Sequence, residues 1–156
     1  MNLKLSDWAS IAEIVGGMAI VVTLVFLTFE IRSNTSVLKA QTYHDLMRDL
    51  NDFRKMGATR EMVEIRNKYD EEGWNSLSST EKGLQRAAST VRWGIYESAF
   101  YANERGFLGE QEWLRFEAGM CRGSSILSEL WNPGEATSMS ELLTPAFVDY
   151  LESACE

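Results

Sequence analysis

Hydrophobic and polar positions are distributed very unevenly along the chain. Residues 14–29 are sixteen consecutive uncharged, mostly apolar positions, IVGGMAIVVTLVFLTF, with no polar face. Beyond Glu30 the chain mostly mixes apolar and charged residues at helical spacing. No segment alternates with a period of two, and no Asn-Gly or Asp-Gly turn joins two apolar runs. The pattern therefore predicts an all-α fold without strands.

From Trp8 to Phe29 the first apolar segment has 22 residues. As a helix it would span about 33 Å, close to the ~30 Å of bilayer hydrocarbon. A small domain cannot cover a helix that lacks a polar face, so a buried core helix is a poor reading. A cleaved signal peptide is also disfavoured: the leader carries only Lys4 and Asp7 as charges, and FEIRSNT offers no A-x-A-like site. The expectation is a retained transmembrane helix, capped by Ser6 or Asp7, with Trp8 at one interface and Phe26, Phe29, Glu30 and Arg32 at the other. Lys4 stands alone before the span, whereas Arg32, Lys39, Arg48, Arg54 and Lys55 come after it. By the positive-inside rule the N-terminus faces out and the C-terminal domain is cytoplasmic.

Between Gly17 and Gly57 there is neither glycine nor proline, and Ile31, Leu38, Leu46, Leu50 and Phe53 keep a helical period. The transmembrane helix is thus expected to continue into a cytoplasmic helical bundle, with a break allowed only near Ser33–Ser36. A helix over 59–69 should turn Met62, Ile65 and Tyr69 inward. Residues 70–79 read as a loop, and Ser78 with Glu81 forms a capping-box pattern opening a helix to about Glu104. Its inner side is read as Leu84, Ala88, Val91, Ile95, Ala99 and Tyr101, with Gly106 as terminator. A helix from Gly109 should present Trp113, Leu114, Phe116, Met120, Ile126, Leu127 and Leu130, and end at Asn132-Pro133-Gly134. Thr144 followed by Pro145 marks the start of a final helix through Leu151. The expected organisation is 1–32 (N-terminal cap and transmembrane helix), 33–56 (juxtamembrane helix) and 57–156 (helical bundle). Trp74, Trp93, Trp113 and Trp131, with Tyr96, Phe100, Tyr101, Phe107 and Phe116, are expected to form core.

Charge changes the picture in one respect. The chain carries a net −8, which argues against a nucleic-acid partner, because phosphate binding needs clustered Lys and Arg. Between Glu97 and Glu156 eleven carboxylates face three arginines, whereas Ser33–Tyr96 holds ten basic and nine acidic residues. The end nearest the apolar run is nearly neutral and the far end strongly acidic.

Candidate chemistry is sparse. Cys121 and Cys155 are read as unpaired thiols, neither a disulfide framework nor a zinc site, with Cys121 a small core residue and the compartment reducing. His44, beside Asp45, is expected to face solvent, and one histidine cannot supply a two-histidine metal site. No G-x-S-x-G, P-loop or G-x-G-x-x-G sequence occurs, and Gly123-Ser124-Ser125 does not fit the nucleophile elbow. The expectation is no enzyme, no cofactor and no metal.

Glu13 is the exception within the span, about 7 Å past the interface at Trp8. Gly17, Val21, Leu24 and Thr28 continue its helical face, with Gly16 alongside, and small residues let helix backbones approach closely in lipid. This set is the candidate helix-association face or pore lining. Three roles for Glu13 stay open: it snorkels to the surface, pairs across copies, or joins a carboxylate ring lining a small cation channel.

The string DWASIAEIVGGMAIVVTLVFLTFEIRSNTSVLKAQTY, with GFLGEQEW and TPAFVDYLE further on, resembles a group of small bacterial single-span membrane proteins without an assigned activity. Their openings run W-x4-E-[IV]-[VI]-G-[AG], then an apolar stretch, then [QE]-I-R-x-N-[ST]. The resemblance implies one span, a helical domain and the bacterial inner membrane, but no reaction; Trp131-Asn132-Pro133-Gly134 departs from it. The lipid bilayer is thus the first expected partner, with a homo-oligomer or another membrane subunit as the second. The function expected is association, as a homo-oligomer or as an accessory or scaffold subunit of a membrane complex. A small channel using Glu13 and an enzyme of unrecognised type remain the alternatives.

Overall fold

The computed structural model describes residues 5–130 and 142–155. Five α-helices account for nearly all of these residues: α1 (Leu5–Gly57), α2 (Arg60–Glu72), α3 (Ser79–Glu104), α4 (Glu110–Leu130) and α5 (Pro145–Ala154). No strand occurs among the described residues. The chain divides into two compact units, residues 1–40 and 41–156.

The first unit is the N-terminal part of α1, which runs without a break through Ser33–Ser36. No proline interrupts it, although Gly16, Gly17 and the many β-branched residues are individually weak helix formers in water. Thr23, Thr28 and Thr35 each donate their hydroxyl to the carbonyl four residues back, at 2.8 Å. These side chains therefore satisfy their own polarity within the helix.

The second unit packs residues of four helices around one hydrophobic cluster. Its core contains Leu46 and Leu50 from the last turns of α1, Trp93, Tyr96, Ala99 and Phe100 from α3, Phe116 and Met120 from α4, and Phe147 and Leu151 from α5. Residues 41–57 of α1 belong to this second unit. Among the described residues, no buried side-chain nitrogen or oxygen lacks a hydrogen-bond partner.

Local chemistry explains the helix ends. Arg54 and Lys55 occupy the last turn of α1, where cations complement the helix dipole. Thr59 caps α2, accepting from the Met62 N–H. α2 extends through Glu72, so the expected loop over 70–79 is shorter than its composition suggested. It turns at Gly73 (φ 81°) and passes through a 3₁₀ turn at Trp74–Ser76. The capping box at the start of α3 is complete: Ser78 Oγ accepts from Glu81 N, and Glu81 Oε2 accepts from Ser78 N at 2.6 Å. α3 ends in a Schellman motif, Phe107 N to Ala102 O and Gly106 N to Asn103 O, both 2.8 Å, with Gly106 at φ 70°.

Two inward assignments are corrected. Val91 is 48% exposed and Leu114 is 46% exposed. On a helix a residue two positions away points about 200° round. Trp93 and Phe116, the larger side chains, take the inner side and turn Val91 and Leu114 outward. Leu84, Met62, Tyr69, Tyr101 and Trp113 are half-buried, while Ala88, Ile95, Ala99 and Ile65 are buried as expected. The side chains of Ile126, Leu127 and Leu130, and all of 131–134, lie outside the described residues.

Candidate functional site

The sequence-derived candidate lies in the first unit. Between Glu13 and Phe29 every residue is exposed, and the helix is long and apolar enough to cross a membrane, with none of that stretch buried. Such exposure of Ile14, Val22, Phe26 and Phe29 has no counterpart on an ordinary soluble surface, where large contiguous apolar patches mark contact sites. Glu13, Gly17, Val21, Leu24 and Thr28 fall within an arc of about 80°, given 100° per residue, with Gly16 about 60° outside it. No side chain comes within 4 Å of where a Cβ would sit at Gly16 or Gly17, so both present open backbone to an approaching surface. Glu30 and Arg32 are exposed where polar sequence resumes, and the side chain of Trp8 lies outside the described residues.

In the second unit, no cluster that could hold a metal ion occurs among the described residues. His44 is exposed over 79% of its side chain, with Asp45 3.8 Å away. It borders a shallow groove of about 240 Å³ lined by Met47, Arg48, Asn51, Asp52 and Lys55. A second groove, about 390 Å³, runs between Asp49, Asp52, Phe53 and Met56 on one side and Val91 and Ile95 on the other. Neither lining sets a hydroxyl or thiol nucleophile beside a base.

Several polar contacts of the second unit join helices. Lys68 reaches Glu81 at 3.0 Å, linking α2 to α3. The Ser78 backbone N–H first, and Lys68 second, pull the Glu81 carboxyl down from its usual 4.5 to about 2. Arg92 donates to the Gly119 carbonyl at 3.2 Å and lies over the rings of Trp93 and Tyr96, joining α3 to α4. Trp74 packs edge-on to Tyr69, with Lys82 and Arg86 at 5.7 and 5.5 Å from its ring.

The tethering of α5 was not legible in the sequence. Glu97 accepts from both the backbone N–H and the hydroxyl of Thr144, each at 2.7 Å, and Tyr101 donates to Thr144 Oγ1. Thr144 occupies the expected N-cap position, yet its side chain bonds to α3 rather than to its own helix. Tyr150 donates to Glu117, and burial followed by that carboxylate pushes the phenol pKa upward.

The expectation of two separate thiols is overturned. Cys121 and Cys155 form a disulfide between α4 and the C-cap of α5, with Cα atoms 4.9 Å apart and a sequence separation of 34. Residue spacing carried no sign of it, because proximity arises from α5 folding back on α4. An even cysteine count was the only hint.

Comparison of the chain with protein-family models, with curated proteins and with solved structures finds no match.

Proposed function

We propose that the protein is a single-span membrane protein whose helical bundle is held at the bilayer surface and which acts by association, as a homo-oligomer or as a subunit of a larger membrane complex. One observation carries the reading: the apolar run of α1 is exposed along its whole length. Water cannot solvate sixteen such residues cheaply, at roughly 25 cal/mol per Å² of apolar surface, whereas lipid can. The open backbone at Gly16 and Gly17 supports helix–helix contact within the bilayer.

The test is extraction. Full-length chain should stay in the membrane fraction after high salt and carbonate and should require detergent. A monodisperse preparation in plain buffer would remove the anchor and the association reading together.

Sidedness has two readings. The basic residues after the span, Arg32 and Lys39 nearest, favour a bundle in the cytoplasm of a bacterium. The Cys121–Cys155 disulfide favours the opposite face, since stable disulfides belong to oxidising compartments and cytosolic ones are usually transient. Protease accessibility in intact cells against inverted vesicles separates them: cleavage of the bundle only in inverted vesicles supports the cytoplasmic face.

A further inference from the structure

The exposed face of α1 does not stop where the apolar run stops. Starting at Gly17, one stripe continues through Val21, Leu24, Thr28, Ile31, Thr35 and Leu38, with spacings of 4, 3, 4, 3, 4 and 3. That alternation is a heptad repeat, with Val21, Thr28 and Thr35 in one seam position (a) and Gly17, Leu24, Ile31 and Leu38 in the other (d). All seven are exposed; Ile31 is 65% and Leu38 51% accessible, although both lie beyond the segment that lipid would cover. The hydroxyls of Thr28 and Thr35 are bonded back to Leu24 and Ile31, so the seam carries no unsatisfied donor there. Around Ile31 and Leu38 the flanks are polar at Glu30, Arg32, Ser33, Asn34, Ser36 and Lys39, with Val37 the one apolar residue off the stripe between 30 and 39. A narrow apolar stripe between polar flanks is the pattern of a two-stranded seam rather than of a lipid-facing surface.

We infer that this stripe is covered by a second copy of the chain, running parallel, in a left-handed helix pair that begins inside the bilayer and continues into water to Leu38. This rests on the membrane-anchor reading above. Charge is compatible with a second copy in one direction only. The positions immediately after d, Arg32 and Lys39, are both basic, while those immediately before a, Leu27 and Asn34, are neutral. In a parallel pair each of these cations meets a neutral residue of the other copy, Arg32 against Leu27 and Lys39 against Asn34. In an antiparallel pair Arg32 and Lys39 would face their own kind across the seam. Copies inserted by one rule also share one direction, which leaves the parallel arrangement as the one open to a membrane-anchored chain.

The experiment introduces single cysteines into the full-length chain in lipid vesicles, with the native disulfide left closed. Ile31→Cys and Leu38→Cys lie on the seam; Ser33→Cys and Val37→Cys lie on the same turns away from it. Mild oxidation should yield several-fold more covalent dimer at 31 and 38 than at 33 and 37. Leu38→Lys, on an exposed position that leaves the fold intact by circular dichroism, should weaken dimerisation about tenfold, equivalent to ~1.4 kcal/mol. Equal cross-linking at all four sites, or a dimer indifferent to Leu38→Lys, would overturn the seam while leaving association through another surface standing. A monomeric mass in detergent and in vesicles at every concentration would overturn the association reading as well.

Discussion

The same residue types lead opposite lives in the two units. In residues 13–40, Ile, Val, Leu and Phe lie open along α1; in residues 41–156, Trp93, Phe116, Met120 and Phe147 are sealed from solvent. What separates them is the presence of a polar face. α3 and α4 alternate large apolar groups with Arg, Glu and Gln at helical spacing, so each has one side to bury and one to hydrate. The apolar run has only one kind of side, and its environment must come from outside the folded chain. Burial in the second unit is therefore a property of packing, whereas the apolar run of the first unit has no packing partner within the described residues.

This contrast can be broken most forcefully by truncating one large side chain in each unit. Trp93→Ala empties the centre of the bundle and should cost about 3–5 kcal/mol in denaturant unfolding monitored in detergent. Leu24→Ala should leave the same transition within about 0.5 kcal/mol, because it removes no packed contact from the bundle. A large effect of Leu24→Ala on bundle unfolding would sink the comparison.

Next in size is the bond closing α5 onto α4. Reduction of Cys121–Cys155, or Cys155→Ser, should lower bundle stability by about 2–4 kcal/mol through the 34-residue separation it spans. Unfolding in the presence and absence of reductant measures this directly, and no difference would mean that the two sulfurs are not bonded in solution.

Gly119 gives a smaller effect. A Cβ there would meet Tyr96 Oη at 2.5 Å, so Gly119→Ala should cost about 1–3 kcal/mol by overpacking the α3–α4 contact. Tyr96→Phe in the same chain should recover part of the loss, since it removes the clashing oxygen; strict additivity of the two changes would count against that contact.

The smallest effects concern the start of α3. Ser78→Ala should cost about 1 kcal/mol by removing the cap. Glu81 titrates near 2 when folded and near 4.5 otherwise, so its contribution is fully present above pH 4.5 and is lost as pH falls toward 2. Glu81→Gln should flatten the acid limb of the stability curve in that window, and an unchanged limb would place the acid sensitivity elsewhere.

Much of the fold was legible in the sequence because its signals are local. The capping box at Ser78 and Glu81, the stop at Gly106 and the start at Pro145 each depend on a few neighbouring residues. Register around a helix was less secure: Val91 and Leu114 are apolar and helically spaced, yet larger neighbours took the inner side. The disulfide and the Glu97–Thr144–Tyr101 contacts were out of reach, because each joins residues 33 or more positions apart whose meeting depends on how α3, α4 and α5 pack. The candidate face at Glu13, Gly16, Gly17, Val21, Leu24 and Thr28 was visible as a pattern, and its extension to Leu38 required knowing that α1 continues unbroken through Ser33–Ser36.

The bond between Cys121 and Cys155 turns the stretch of chain between them into a covalent ring. A protease that severs any one peptide link inside that ring releases nothing: the two pieces still migrate as a single band on a gel, and they part only when a thiol is added. A clipped preparation of this protein would thus pass for an intact one by size alone.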